Sequence, residues 1–541
     1  MKKNVLVLAS SIVILGAALA GCGSAPAGDT AAKSSAQAGS TGGKDLRINI
    51  PSEPPTIDPG LAEDSTSNTV IKAIFDGLYR LDQDGKPQPS VAEKVDISTD
   101  GLTYTFHLRD TKWSNGDPVT AKDFEFAWKR ALDPKTASNY AYQLYYLKNG
   151  EAYNKGQAKA DDVGVKAKDD KTLVVNLENP TPFFLELTAF TTYLPVEQKL
   201  VEENPKWANE ASTMVSNGPF KLDTWEHKSK ITLSKNDNYW DKDVVKLDKI
   251  QMSMIDADDT VLNMFDNGEL DWAGAPLNSL PTDAIPALKD AGRLHIYPVS
   301  SVYWYKFNTE KPPFNNAKIR KAFAYAINRQ EIIDNLLQAD QKPALGAVPS
   351  GMSLNPQGYF KDNDAETAKK LLAEGMKELG IDKLPPITLS YNTSQGHQQI
   401  AQAVQDQWKK NLGVDVKLEN QEWKVYIDSL HQGNYQIGRM GWNADFNDPM
   451  TFLDAFKEKD GGNNDTHWEN PKYKELLDQA LKEADIEKRK ALMKEAEQIL
   501  MDEMPVAPVY FYTSSYVANP NLKGVVTDPF NHIDFKWATL E

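Results

Sequence analysis

The chain has 541 residues, with 60 Lys and Arg against 76 Asp and Glu and a formal net charge of −16. That balance, with no basic block anywhere, argues against nucleic acid and anionic membrane surfaces as partners. The single cysteine excludes disulfides within the chain, and a folded body of about 500 residues calls for about two to four domains rather than one. Twelve tryptophans and 21 tyrosines suit core packing and also a large amphipathic binding surface.

The amino terminus opens with Lys2 and Lys3, continues as an apolar run from Val5 to Leu19, and closes on Leu19-Ala20-Gly21-Cys22. The run falls short of the roughly 20 apolar residues a spanning helix needs and has the layout of a secretory signal. Its last four residues resemble the box of a bacterial lipoprotein signal. That resemblance implies cleavage after Gly21 and a diacylglycerol on Cys22; an ordinary signal peptide with a chance cysteine is the alternative. Residues 23–43 are mostly small and polar and cannot build a core. They read as a flexible tether with an end-to-end distance of about 25 Å.

Ordered structure is predicted from Leu46-Arg47-Ile48-Asn49-Ile50, an alternating strand. Pro51, Pro54, Pro55 and Pro59 then enforce an extended path, and a helix is expected over 68–78. Leu102, Tyr104, Phe106 and Leu108 alternate as a strand, as do Leu173, Val175 and Leu177. Between them Thr120 caps a helix with Asp123 at the box position and Phe124, Trp128, Ala131 and Leu132 on one face. Further on, helices are expected over 316–328, from a cap at Asp364 to Gly380, through Val404 and Trp408, and after a cap at Asp485. Strands are expected at Ile387 and Leu389 and at Val414, Val416 and Leu418. Interleaved helices and strands without a repeat give an α/β or mixed class.

Catalytic signatures are missing. There is no Gly-x-Ser-x-Gly elbow, no His-Glu-x-x-His helix and no phosphate-binding glycine loop, and the seven histidines lack ligand spacing. An extracytoplasmic peptidase is therefore the minor rival, and no metal or cofactor is expected.

Several segments carry a family resemblance. Glu53-Pro54-Pro55-Thr56-Ile57-Asp58-Pro59, the stretch from Leu102 to Phe124, Asn217-Gly218-Pro219-Phe220, Tyr239-Trp240, Gly268-Glu269-Leu270-Asp271 and Pro313-Phe314-Asn315 resemble, in order, the peptide/nickel cluster of ABC-transporter solute-binding proteins. Gly438-Arg439-Met440-Gly441-Trp442-Asn443-Ala444-Asp445 is most similar to the oligopeptide-binding members. The resemblance implies a periplasmic-binding-protein-like fold (type II, cluster C) with three lobes around an interlobe cleft. Lobe I would comprise 44–75, 200–270 and 512–541, lobe II 76–199 and lobe III 271–511. It implies capture of short peptides by a monomer and their delivery to a membrane permease, with no catalysis and with the membrane met only through the lipid anchor. Nickel, haem or an oligosaccharide as solute, or a peptide-pheromone receptor, are alternatives within the same fold.

The same resemblance assigns roles. Asp445 pairs with the ligand's α-amino group; as a bare residue near Asn447-Asp448-Pro449 it would read as a turn cap. Arg439 and His397 receive the carboxylate, and Lys311 serves longer peptides. Glu63 and Ser65 belong to a segment offered to the peptide backbone, Tyr140 reaches the ligand from the second lobe, and Trp423 and Trp442 wall the pocket or pack the core. One departure stands out: Leu430 occupies a position where the subfamily has an arginine, so the peptide length served by that arginine is open here.

Overall fold

The computed structural model describes residues 44–541. The signal run, the tether and Cys22 lie outside the described residues. Three lobes, each built on a β-sheet, surround a cleft. In the first, the strand Asp45–Ile50 lies parallel to Lys249–Met254, which continues antiparallel to Lys230–Lys235 and then Phe220–Glu226. The alternation read from the sequence holds: Leu46, Ile48 and Ile50 are fully buried.

The second sheet is antiparallel throughout, in the order Ala92–Ile97, Thr103–Leu108, Thr172–Asn176, Val165–Asp169. The helix Ala121–Leu132 packs on it through Phe124, Trp128, Ala131 and Leu132, all fully buried. Its start is fixed as expected, because the Asp123 carboxylate accepts hydrogen bonds from the Thr120 amide at 2.8 Å and hydroxyl at 3.1 Å.

The third sheet is the largest. Its order is Trp272–Gly274, Val506–Ala518, His295–Phe307, Ile437–Asn443, Ile387–Asn392, Val416–Gln421. Strand alternation along 295–307 separates two cores: Val302 and Trp304 face one, Tyr303, Tyr305 and Phe307 the other. Helices Ala317–Tyr325, Ala365–Glu378 and Gln395–Leu412 cover the second core, and Asn316, Asp364 and Ser394 cap them.

One expectation shifts. The helix expected over 68–78 runs Ser65–Ile74, because the Asp64 carboxylate takes the amides of Thr66 and Ser67 at 3.0 and 3.1 Å and caps it three residues early. The strand Val506–Ala518 stays in the third sheet to its end by pairing with Trp272–Gly274. Charge pairs with at least one buried partner tie distant segments together. Arg47 binds Asp271 through its backbone amide, Nε and a terminal nitrogen, at 2.9 to 3.1 Å. Arg80 bridges Asp76 at 3.1 Å and Asp534 at 2.5 Å.

Candidate ligand-binding site

The strand Ile437–Asn443 organises the site. It pairs along its whole length with His295–Phe307, but on its other side only Ile437 and Gly438 pair, with Leu389 and Ser390. From Arg439 to Asn443 that second edge has no strand partner among the described residues. All five of these residues line a cavity of about 620 Å³ between the lobes. An unpaired strand edge carries a row of N–H and C=O groups able to accept another extended chain.

Past this edge the chain turns, and Asp445 comes to lie 6 % exposed. Its backbone amide donates to the Thr451 hydroxyl at 2.9 Å; its carboxylate accepts from Gln143 Nε2 at 2.7 Å and the Tyr140 hydroxyl at 3.4 Å. Those donors are neutral, and burial pushes the Asp445 carboxyl well above the usual carboxylate range. No cation lies within ion-pair distance among the described residues.

Near the start of the edge, Arg439 is the mirror case. It is 8 % exposed; its terminal nitrogens donate to the Tyr512 hydroxyl at 2.7 Å and Asn392 Oδ1 at 3.2 Å, and its guanidinium lies 4.7 Å from the Tyr303 ring centroid. Its Nε has no partner, and no carboxylate pairs with it among the described residues. His397 stands beside the same tyrosine, 5.7 Å between rings. Burial and the Arg439 charge drive its pKa well below the usual value, so it is a neutral imidazole here.

The remaining residues fall into two groups. Trp442 has a partnerless indole nitrogen and lies 6.1 Å from the Tyr140 ring. Trp423 donates to Asp64 at 3.1 Å, and Asn443 to the Ser65 hydroxyl at 3.2 Å. Glu63 also lines the cavity, whereas Lys311 does not; it is exposed in the turn after the 295–307 strand, its amide bonded to the Asn308 carbonyl at 3.1 Å. Leu430 is 1 % exposed and packs with Tyr426 and Tyr435 against the bare backbone of Gly438, where a Cβ would lie 2.6 Å from its side chain. The position is thus apolar wall.

Sequence reasoning passed over four groups. Gln143 holds Asp445, and Tyr512 holds Arg439. His431 bridges Glu63 at 2.8 Å and Asp465 at 2.7 Å, and Asp465 also binds Lys306. Burial would lower the His431 pKa, but the two carboxylates push it up to about 10. Among the described residues no group of three or more His, Cys, Asp or Glu side chains is gathered as a metal site, and no helix is long and apolar enough to cross a membrane.

Lobes that close around a cavity carrying an open strand edge and two unpaired charges define a solute-binding protein. A family model for bacterial extracellular solute-binding proteins, family 5, matches residues 86–464, and the chain belongs to that family. It is 54% identical over 544 residues to the oligopeptide-binding protein OppA of Bacillus subtilis, covering 99% of each. The structure of Listeria monocytogenes OppA bound to peptide matches with a TM-score of 0.85 at 34% identity, over 92% of this chain and 99% of that one. The murein tripeptide binding protein MppA of Escherichia coli matches at 0.87 and 34% identity, over 92% of this chain and 98% of that one. MppA in an unliganded open form matches at only 0.62, with 34% identity over 92% and 97%.

Proposed function

We propose that this protein captures short peptides in the interlobe cleft, outside the cytoplasm, and delivers them to the permease of an ABC importer without altering them. The observation that carries this reading is a buried carboxyl and a buried guanidinium, Asp445 and Arg439, each lacking an ionic partner, one just past and one on an unpaired strand edge. A zwitterion in extended form supplies what each lacks: an ammonium for Asp445, a carboxylate for Arg439, whose planar fork suits both oxygens, and backbone groups for the edge between them. Arg439 sits on the open edge and Asp445 two residues past its last strand residue, Asn443, and both line the same cavity, so one short extended peptide can meet both. The relatives named for oligopeptides support the same solute class.

The lobe boundaries follow as part of this proposal. Lobes I and II hold the Glu63–Ser65 segment and Tyr140; lobe III holds His397, Trp423, Arg439, Trp442 and Asp445. A hinge between them closes the cleft. The aromatic and apolar part of the lining, Tyr140, Trp423, Leu430 and Trp442, allows varied side chains with water filling the rest.

Native mass spectrometry of freshly purified protein tests the solute class. Mass additions of short unmodified peptides are the expected result. A bound metal, haem or oligosaccharide, or cleavage of peptides on overnight incubation, would replace this reading. The anchor is tested separately: Cys22→Ser leaves peptide affinity unchanged, releases the protein into the medium and lowers peptide uptake by the cells.

A further inference from the structure

Three consecutive residues, Glu63, Asp64 and Ser65, are each held by a different side chain across the cleft: His431, Trp423 and Asn443. Two of these contacts are single hydrogen bonds from uncharged donors, the Trp423 indole and the Asn443 amide. The first is part of a chain of four charges. His431 donates from Nε2 to Glu63 at 2.8 Å and from Nδ1 to Asp465 at 2.7 Å, and Asp465 accepts from Lys306, which also donates to the Asn463 carbonyl at 2.9 Å. Asn139, in the segment between the second sheet's Thr103–Leu108 and Val165–Asp169 strands, donates to the other Glu63 oxygen at 3.0 Å. Parts of the chain built on all three sheets therefore meet at Glu63.

We propose that Glu63 and His431 form a catch that holds the cleft shut, with Asp465 and Lys306 keeping His431 charged from behind.

The physical basis is charge separation. Shut, the cluster holds two anions and two cations, with Asp465 and Lys306 both under 6 % exposed. Opening parts Glu63 from His431 and leaves a net positive trio on one side and a lone carboxylate on the other. Partly buried pairs of this kind resist separation more than surface pairs do. The backbone beside the catch is already at closest approach: a Cβ on Gly462 would lie 1.7 Å from the Asn139 carbonyl oxygen. Glycine at 462 lets the 139 and 462 loops meet, and with them the catch. The lobe arrangement described here is the shut one, nearer to one MppA structure than to the unliganded open form of the same protein.

The role in peptide retention rests on the peptide reading above; the effect on shape does not. Glu63→Gln and His431→Gln remove one charge each, and Gly462→Ala wedges the loops apart without touching the charges. Stopped-flow tryptophan fluorescence, with Trp423 and Trp442 as reporters and tri- and tetra-alanine as probes, reads the rates. All three variants are expected to release peptide roughly tenfold faster, a size typical of coupled charge pairs for the two charge variants. Glu63→Gln/His431→Gln should release no faster than either single variant, the mark of one shared interaction. Small-angle scattering without peptide should show a larger radius of gyration in the variants than in the parent.

Release rates unchanged in Glu63→Gln and His431→Gln, or multiplying in the double variant, overturn the catch. If the parent takes neither probe, the peptide reading fails and scattering alone decides: equal radii in parent and variants then overturn the catch as well.

Discussion

Replacing Asp445 by alanine lowers affinity for short peptides with a free amino terminus by at least about tenfold, and by about two to four orders of magnitude where the full ~3–5 kcal/mol of a broken buried charge pair is felt. The ligand's ammonium enters a cleft from which water is displaced and finds no counter-charge. For the same reason N-acetylated peptides bind the parent protein poorly, because Asp445 is then left buried and unpaired. Calorimetry with matched free and acetylated peptides checks both; equal affinities would remove Asp445 from the role.

Proton linkage adds a signature that a merely structural aspartate would not give. Burial holds the empty-site carboxyl well above its ordinary pKa. An arriving ammonium favours the ionised form, so binding expels a proton from the protonated fraction. Affinity therefore rises with pH until the empty-site carboxyl is fully ionised, and the heat of binding depends on the buffer's ionisation heat. Asp445→Asn abolishes both effects. The sign for stability is opposite to that of a paired carboxylate. A folded pKa above the unfolded value means this group favours folding at low pH and ceases to do so as pH rises through the folded pKa. Asp445→Asn is accordingly expected to raise the stability of the ligand-free protein at neutral pH while ruining capture.

The largest loss of stability is expected outside the cavity lining, at Arg80→Met. Arg80 is buried, pairs with Asp76 and Asp534, and donates to the carbonyls of Lys72 and Phe75 at 3.2 and 2.9 Å. Burial raises the Asp76 pKa, but Arg80 and Lys536 more than offset it and hold the group below the usual range. Methionine fills much of the volume and leaves two buried carboxylates facing one another with only Lys536 nearby. The expected cost is about 3–5 kcal/mol, read as a lower midpoint in urea. Peptide affinity of the folded fraction should stay as in the parent, because Arg80 does not line the cleft. A loss below about 1 kcal/mol would place the pair among those that contribute little.

The sequence was most legible where one short segment carries its own context. The run from Gly438 to Asp445 supplied Arg439, Trp442 and Asp445, and the alternation in 46–50 and 102–108 supplied two sheets. It was least legible where a residue acts through a partner far along the chain. His431, next to the conspicuous Leu430, carries no local signal of its own, because its partner Glu63 lies 368 positions away. Gln143 is an amide in a short polar-aromatic stretch and becomes an anchor's support only once Asp445, 302 positions on, is placed against it. Lys311 shows the same limit from the other side: its flanking Pro312-Pro313-Phe314 fits the family text, while only the fold shows that the turn holds it outside the cavity lining. The two 13-residue strands that centre the third sheet, His295–Phe307 and Val506–Ala518, went unread for a simple reason. Both are buried on two faces along much of their length, so the period of two that marks a half-buried strand is absent.

The open edge from Arg439 to Asn443 also bears on what the protein does not bind. Exposed on a flat surface, such an edge would recruit strands from other folded proteins and seed aggregation. Here it is recessed behind the Trp423–His431 helix and the Glu63–Ser65 segment, so a sheet cannot dock on it and only a thin, unfolded chain with free ends can thread in. Sinking the edge turns a hazard of β-structure into a size filter: nascent or damaged proteins are turned away by bulk alone, and fragments pass.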